Sequence, residues 1–403
     1  VPGPRGGPCG ARGARAPRFC VDDTSADVTV SSAVDDDALG AIVDAGAAAA
    51  VAVGVARGDD TTWLSAQGLA DPAQGRAATT DTPFLLASAT KAWVAVLAMT
   101  LVDDGLLDLD ADVRTLSPAL AGVVHPQHPD VVITPRMLLT HTSSLWDVPF
   151  TFDATHATSG DAPLPMRDFV AGYFDDASPF FGGADAWWEP APGTFSCYSN
   201  LGFGVLGVVV EDVGGGSWAA LLQARVIAPL GLLHTSFRAD AFCDDVVVRG
   251  VRANGAGGFV DDNLGAGPQP EGHPELASGM LKSSAADMLT FARALARGGV
   301  ADDGTRLLSP AAFDAMITRQ LSPDIAQCGD GRSDPAEQAI GVVHFPDAAG
   351  RDWIGHYGGM NGATSAVWFE RDGRQAYAVL QNVLDTAVLN DVELLVLAHL
   401  ERP

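Results

Sequence analysis

Strand-like segments stand at both ends of this chain, with a long helical middle between them. Residues 49–56 and 61–69 read as two strands joined by the turn Arg57-Gly58-Asp59-Asp60. Residues 341–345, 351–356, 364–369 and 375–380 read as four more, with Arg371-Asp372-Gly373 as a hairpin turn. Residues 35–47 and 387–400 read as helices, and 88–107 as a strong amphipathic helix that frays at Asp103-Asp104-Gly105. From there to about residue 335, helix and loop alternate with frequent glycine and proline. Such an order predicts one sheet assembled from the two ends of the chain, with a helical lobe inserted. The expected division is a tail over 1–34, a sheet domain over 35–85 and 336–403, and a helical domain over 86–335.

The chain has 403 residues, 47% of them hydrophobic and 18% charged, which suits two lobes and excludes disorder. No run reaches the 18 apolar residues of a membrane span, and the net charge of −26 argues against nucleic acid and anionic lipid as partners. The acids are 42 Asp and 8 Glu, the bases 22 Arg and 2 Lys. A salt-adapted surface and a GC-rich genome both give that bias. Residues 1–21 hold Arg5, Arg12, Arg15 and Arg18 and no acid, the look of a disordered tail or a targeting remnant. The five cysteines, Cys9, Cys20, Cys197, Cys243 and Cys328, form no CxxC pair, so zinc ribbons are not supported. A disulfide between two of them is possible but not implied, and the compartment stays open.

Several hydrolase and nucleotide signatures are missing, among them G-x-S-x-G and the P-loop. His125 and His128 form an H-x-x-H, but proline follows His125 and His128 alike, which favours a surface loop over a zinc site. One lysine stands out. Ser88-Ala89-Thr90-Lys91 is an S-x-x-K where an apolar strand end turns into the long helix. Side chains three apart share a helical face, and an amine there could activate the serine hydroxyl. With 2 lysines and 21 serines, chance gives only about 0.1 such matches in a chain of this length. Tyr198-Ser199-Asn200 is a Y-x-N of similar rarity, whereas His356-Tyr357-Gly358, an H-x-G, is expected about once by chance.

Together these motifs resemble the serine β-lactamase and penicillin-binding-protein superfamily, on the class C branch that also holds family VIII carboxylesterases and D-amino-acid peptidases. Flanking text agrees, notably Leu138-Leu139-Thr140-His141-Thr142-Ser143, Ser278-Gly279-Met280-Leu281 and Gly355-His356-Tyr357-Gly358-Gly359. The resemblance covers roughly residues 35–400. It implies an α/β fold, with an antiparallel sheet flanked by helices and a mostly helical inserted lobe. It implies Ser88 as acyl-accepting nucleophile, Lys91 as its activating partner and Tyr198 as general base and acid. Asn200 would orient Lys91 or a substrate amide, and backbone N–H groups of Ser88 and Gly359 would bind the oxyanion. His356 and Gly358, on one side of a strand, would face the pocket. His141 reads as a loop-fixing hydrogen bonder.

Departures from the pattern narrow the substrate. H-x-G stands where β-lactamases carry K-T-G, which removes the cation and hydroxyl that would hold a β-lactam carboxylate. Ser144 replaces a usual glycine, so that turn is expected to differ in shape. Trp146, Phe150, Phe152, Tyr173, Phe174, Phe180, Phe181, Trp187 and Trp188 could wall an apolar acyl pocket or pack the helical lobe. The expected function is a serine hydrolase forming an acyl-enzyme, a carboxylesterase on small or medium acyl esters. Alternatives are a D-amino-acid peptidase or amidase, an acyltransferase, a weak β-lactamase, or a non-catalytic binding relative. No metal or cofactor is implied, the expected partner is a small ester or amide, and oligomeric state is left open.

Overall fold

The computed structural model describes residues 29–148, 161–238, 241–242, 247–254, 258–262, 272–274, 276–329 and 334–402. Most of the expected tail, together with Cys9, Cys20, Cys243, Phe150 and Phe152, lies outside the described residues. After helix α1 (Ala33–Asp44) come strands β1 (Ala50–Arg57), β2 (Asp60–Asp71) and the short β3 (Arg76–Ala77). The C-terminal part supplies β4 (Val343–Pro346), β5 (Asp352–Met360), β6 (Ala363–Glu370) and β7 (Gln375–Gln381). They form one seven-stranded sheet in the order β4-β5-β6-β7-β1-β2-β3. Both pairings of β1 are antiparallel, Val53 lying opposite Val379 of β7 and Ser65 of β2. The two chain ends therefore meet at the β1–β7 seam, in the middle of the sheet.

Alternation along each strand sorts the two faces by side-chain size. On β1, Ala50, Ala52 and Ala56 face one core and Val51, Val53 and Val55 the other. The small-residue face lets helix α4 (Ala285–Ala296) approach closely. A Cβ on Gly54 would sit 3.0 Å from Leu289 Cβ and 3.2 Å from the Ala285 carbonyl oxygen. The opposite face is covered by α1 and by the last helix, α5 (Thr386–Leu400), which buries Val388, Leu389, Val392 and Val396 against the valines. A β-strand thus reads as continuously buried while its pattern still fixes which face meets which helix.

Two expectations need correction. The 88–107 segment is not one amphipathic helix: a 3₁₀ turn at Ala87–Ala89 precedes α2 (Thr90–Asp103). Every residue from Thr90 to Leu101 is buried, so α2 is a central helix wrapped by others and has no solvent face. The 351–356 strand runs on through Gly358 and Gly359 to Met360. No single helix among the described residues is long and apolar enough to cross a membrane.

The sequence left cysteine pairing open, and the structure joins Cys197 to Cys328 across a separation of 131 residues. The bridge lies beside a short parallel pairing of Phe195–Ser196 with Ala326–Gln327. Closing so long a loop limits the unfolded chain by up to about 5 kcal/mol. Cys328→Ser, or reduction of the wild type, is expected to lower the unfolding temperature by several degrees. A melting curve unchanged by reductant would show that the bridge contributes nothing.

Candidate active site

Ser88 lies in the tight turn between a buried two-residue strand, Phe84–Leu85, and α2. That turn forces Ala87 into a left-handed backbone, φ +45°, an unfavourable state for alanine. Surrounding contacts hold it there. The Leu86 carbonyl accepts from Ser365 Oγ at 2.6 Å on β6, and the Leu86 N–H donates to the Leu281 carbonyl at 2.8 Å. Gly358 of β5 abuts the same turn, since a Cβ there would come within 2.1 Å of the Leu86 oxygen and 2.9 Å of the Ala89 nitrogen. Only glycine lets β5 and the Ser88 turn approach so closely.

One helical turn on, Lys91 is fully buried. Its ammonium nitrogen donates to the Ser278 carbonyl at 2.6 Å and to Asn200 Oδ1 at 2.8 Å, and lies 3.3 Å from Ser88 Oγ. It also sits 4.7 Å from the centre of the Tyr198 ring and 5.1 Å from that of Phe203. The residues of S-x-x-K and Y-x-N, 109 positions apart, are thus in direct contact.

Helix α3 (Asn200–Gly214) begins just after Tyr198, and its first turn is held by a residue the sequence reading missed. Asp147 accepts hydrogen bonds from Ser199 Oγ, the backbone N–H groups of Asn200 and Leu201, and Asn200 Nδ2, all between 2.8 and 3.1 Å. A carboxylate at a helix start satisfies free N–H groups and the dipole together. Its grip on Nδ2 also turns Oδ1 of Asn200 towards Lys91. His141 brackets Tyr198 from both sides: its carbonyl accepts from Cys197 N–H at 2.9 Å, and its Nδ1 accepts from Ser199 N–H at 3.1 Å.

The aromatic stretch performs another task than walling the pocket. Several of its described members pack with one another, as Trp146 with Trp188 and Phe174 with Trp187, and no described member lines the cleft. Tyr173 Oη accepts from Val148 N–H at 2.7 Å and donates to the Trp146 carbonyl at 3.1 Å, fixing the residues on either side of Asp147. Ser144 keeps a left-handed backbone, φ +60°, the conformation glycine prefers, and its hydroxyl donates to the Pro190 carbonyl at 2.7 Å. His125 and His128 donate through Nε2 to the Trp188 and Glu189 carbonyls, so they brace this lobe and do not form a metal site. Glu337, His344 and Asp352 bring three potential metal donors together. The Arg319 guanidinium already bridges the two carboxylates, at 2.6 and 3.1 Å, which makes that group an ion-pair network.

A cleft of about 710 Å³ opens over this constellation. Ser88, His141, Tyr198, Asn200, His356, Gly358 and Gly359 all line it, as do Phe345, Leu384 and Leu389. His356 Nδ1 faces the Tyr357 carbonyl, an acceptor only, so Nδ1 carries the proton and Nε2 is left as an acceptor. Burial, reinforced by the Lys91 charge, pushes the His356 pKa down to about 3. The imidazole standing where K-T-G would place a cation is therefore neutral.

A beta-lactamase family profile matches residues 36–400, and the chain belongs to that family of serine hydrolases. It is 33% identical over 263 residues to penicillin-binding protein 4 of Amycolatopsis lactamdurans, covering 64% of this chain and 62% of that protein. It is 38% identical over 197 residues to the esterase EstB of Burkholderia gladioli, covering 47% and 46%. The matched part is thus less than two thirds of either relative's length. Among solved structures, the octameric penicillin-binding protein homologue from Pyrococcus abyssi superposes with a TM-score of 0.70 at 20% identity, over 91% of this chain and 76% of that one. The D-amino acid amidase from Ochrobactrum anthropi SV3 gives 0.69 at 23%, over 92% and 100%. These two likenesses show the fold.

Asp147→Ala is expected to strip acceptors from four donors at the head of α3, lowering stability by about 2–3 kcal/mol. Urea unfolding measures this, and a loss below about 0.5 kcal/mol would show that water replaces the carboxylate without penalty.

Proposed function

We propose that the protein is a carboxylesterase acting through an acyl-enzyme on Ser88, with uncharged esters as substrates. The observation that carries the reading is the buried Lys91 ammonium, in contact with both Ser88 Oγ and the Tyr198 ring, two residues that line the cleft. A cation held there favours the phenolate form of Tyr198, which takes the Ser88 proton as Oγ bonds to the substrate carbonyl carbon. The N–H groups of Ser88 and Gly359 receive the oxyanion. When the carbonyl reforms, the C–O bond to the alcohol breaks and Tyr198 returns the proton to the departing oxygen. Water then adds to the acyl-enzyme, gives a proton to Tyr198, and the acid leaves as that proton returns to Ser88. Asn200 holds Lys91, and Asp147 and His141 hold the chain at Asn200 and Tyr198, so Asp147 and His141 are positioning residues.

The preference for neutral esters rests on the lining. His356 offers a neutral acceptor, suited to a hydroxyl or a water and unable to pair with a β-lactam or peptide carboxylate. No carboxylate lines the cleft among the described residues, so the ammonium of an amino-acid amide finds no opposite charge there. Part of the lining is apolar: Phe345 is 52% and Leu384 48% exposed, beside the buried Leu389. Large side chains left in water on a cleft wall gain by covering the hydrocarbon of a substrate.

Ser88→Ala is expected to cut hydrolysis of p-nitrophenyl esters by at least about 10³-fold and to abolish labelling by a fluorophosphonate probe. Retained activity removes the mechanism. Across a panel, p-nitrophenyl butyrate should be turned over well ahead of D-phenylalanine amide and of a chromogenic cephalosporin. Phe345→Ala should lower kcat/KM for hexanoate by roughly fivefold or more while leaving acetate within twofold. Faster cleavage of the amide or the cephalosporin would reassign the substrate class.

A further inference from the structure

The side of β5 turned away from Ser88 carries a group that the hydrolytic chemistry leaves unused. Tyr357 lies between His356 and Gly358, and by strand alternation its side chain points to the opposite face, under α5, where the cleft reaches round the edge of β5 and takes Tyr357, Leu389 and Asn390 into its lining. Its hydroxyl donates to Glu393 Oε2 at 3.1 Å, and the Tyr377 hydroxyl, from β7, donates to Oε1 at 3.0 Å. Glu393 is only 8% exposed, and no lysine or arginine pairs with it among the described residues. A carboxylate at such depth without a cation is expensive, and two tyrosine hydroxyls are a modest return. Burial accordingly lifts the Glu393 pKa to about 7, so both protonation states are populated near neutrality.

The other groups facing this pocket are identified element by element. From β6 comes the Trp368 indole, whose ring lies 4.8 Å from that of Tyr357. From β1 come Val51, Val53 and Val55 and, at the far end of α5, Arg57, which donates to the carbonyls of His399, Leu400 and Arg402. From α1, Asp35 is occupied by His399 and Arg402 at the far end of α5, and Asp36 by Trp63 Nε1. Asp347, before β5, is held by Arg351 and Trp353 Nε1 and adds negative potential at Tyr377. Glu393 is therefore the group on this face whose charge changes near neutral pH with a direct bond to the strand.

We propose that Glu393 is a positioning residue whose ionisation, acting through the Tyr357 hydroxyl, sets the placement of the β5 segment that carries His356, Gly358 and Gly359 along the cleft. The inference rests on the hydrolase reading of that cleft. Ionised, Glu393 accepts from both hydroxyls and ties β5 to β7 across the intervening β6. Protonated, its own O–H needs an acceptor, so one tyrosine must accept where it had donated, and the clamp loosens. The segment has one open edge through which to respond, because pairing with β4 stops at Gly355, opposite Val343, while β6 pairs with it on the other side. Movement passes directly to the cleft, since the Tyr357 carbonyl is the acceptor that fixes the His356 ring. The sign follows: activity rises as Glu393 ionises. Fold stability runs the other way, because an acid whose pKa is raised by folding is best accommodated protonated. Its contribution is present below the unfolded value near 4.5 and is lost as pH rises through about 7.

The test is the pH dependence, from 5.5 to 8.5, of kcat/KM for p-nitrophenyl butyrate and of fluorophosphonate labelling of Ser88. Wild type, Glu393→Gln and Tyr357→Phe are compared, with Trp fluorescence titrated in parallel. Wild type should gain roughly three- to tenfold in kcat/KM through an ionisation near neutrality. Glu393→Gln, which like the acid must donate as well as accept, should stay near the low-pH value throughout. Tyr357→Phe should lose the same step in kcat/KM while the fluorescence change from Glu393 beside Trp368 remains. Either variant keeping the wild-type profile overturns the proposal, and a uniform loss at every pH marks a merely structural role and also overturns it. Tyr357→Phe leaves the Tyr377–Glu393 bond intact, so it decides the matter should Glu393→Gln fail to fold. Ser88-dependent hydrolysis with unaltered profiles sinks this inference alone, whereas activity or labelling independent of Ser88 sinks the hydrolase reading and this inference with it.

Discussion

A fully buried ammonium has to be answered from every side, and in this protein the demand made by Lys91 organises the surrounding structure. Water would solvate such a group far better than an apolar interior does, so burial is tolerated only with several well-aimed acceptors. Here they come from separate parts of the chain: the Ser278 carbonyl, the Asn200 amide oxygen and the π-faces of Tyr198 and Phe203. None is local in sequence. Placing them around one nitrogen requires α3 and the 276–279 turn to be packed on α2, and the same packing brings the Tyr198 ring to the ammonium that contacts Ser88. The need to satisfy a buried charge and the need to assemble a reactive site are met by the same contacts.

Two layers of support hold that arrangement. The helical lobe contributes Asp147, kept in place by the hydroxyl of Tyr173, and Asp147 in turn fixes the head of α3. From the sheet, Ser365 and Gly358 pin the turn before Ser88, which alone would not hold a left-handed alanine. Both layers consist of polar groups satisfied within the protein, so the reacting side chains can be held with little reorganisation. The cleft opens where the two layers meet, along an edge of β5 that β4 leaves unpaired beyond Gly355.

Strand β5 serves two environments at once. His356 and Gly358 look towards Ser88, while Tyr357 reaches the acidic pocket under α5. Replacing the lysine and threonine of K-T-G by histidine and tyrosine therefore alters both faces: it removes a cation from the cleft and places a phenol on a buried carboxyl.

Periodic and short-range features were legible in the sequence. Residues 49–56 and 375–380 read as strands of one sheet built from both parts of the chain, and the rarity of lysine made S-x-x-K conspicuous before any contact was known. The amphipathic reading of 88–107 failed because periodicity cannot distinguish a helix covered on one side from one covered all round. The aromatic stretch read as a possible acyl wall because rings look alike in sequence whether they line a cleft or brace a loop. Only the tertiary structure decided that Asp147 caps a helix 52 residues away, that Glu393 meets Tyr357 across 36 residues and that Cys197 joins Cys328 across 131. Local pattern reports the spacing of side chains along one element, whereas these contacts depend on how separate elements are packed, a quantity that no single stretch of the chain contains.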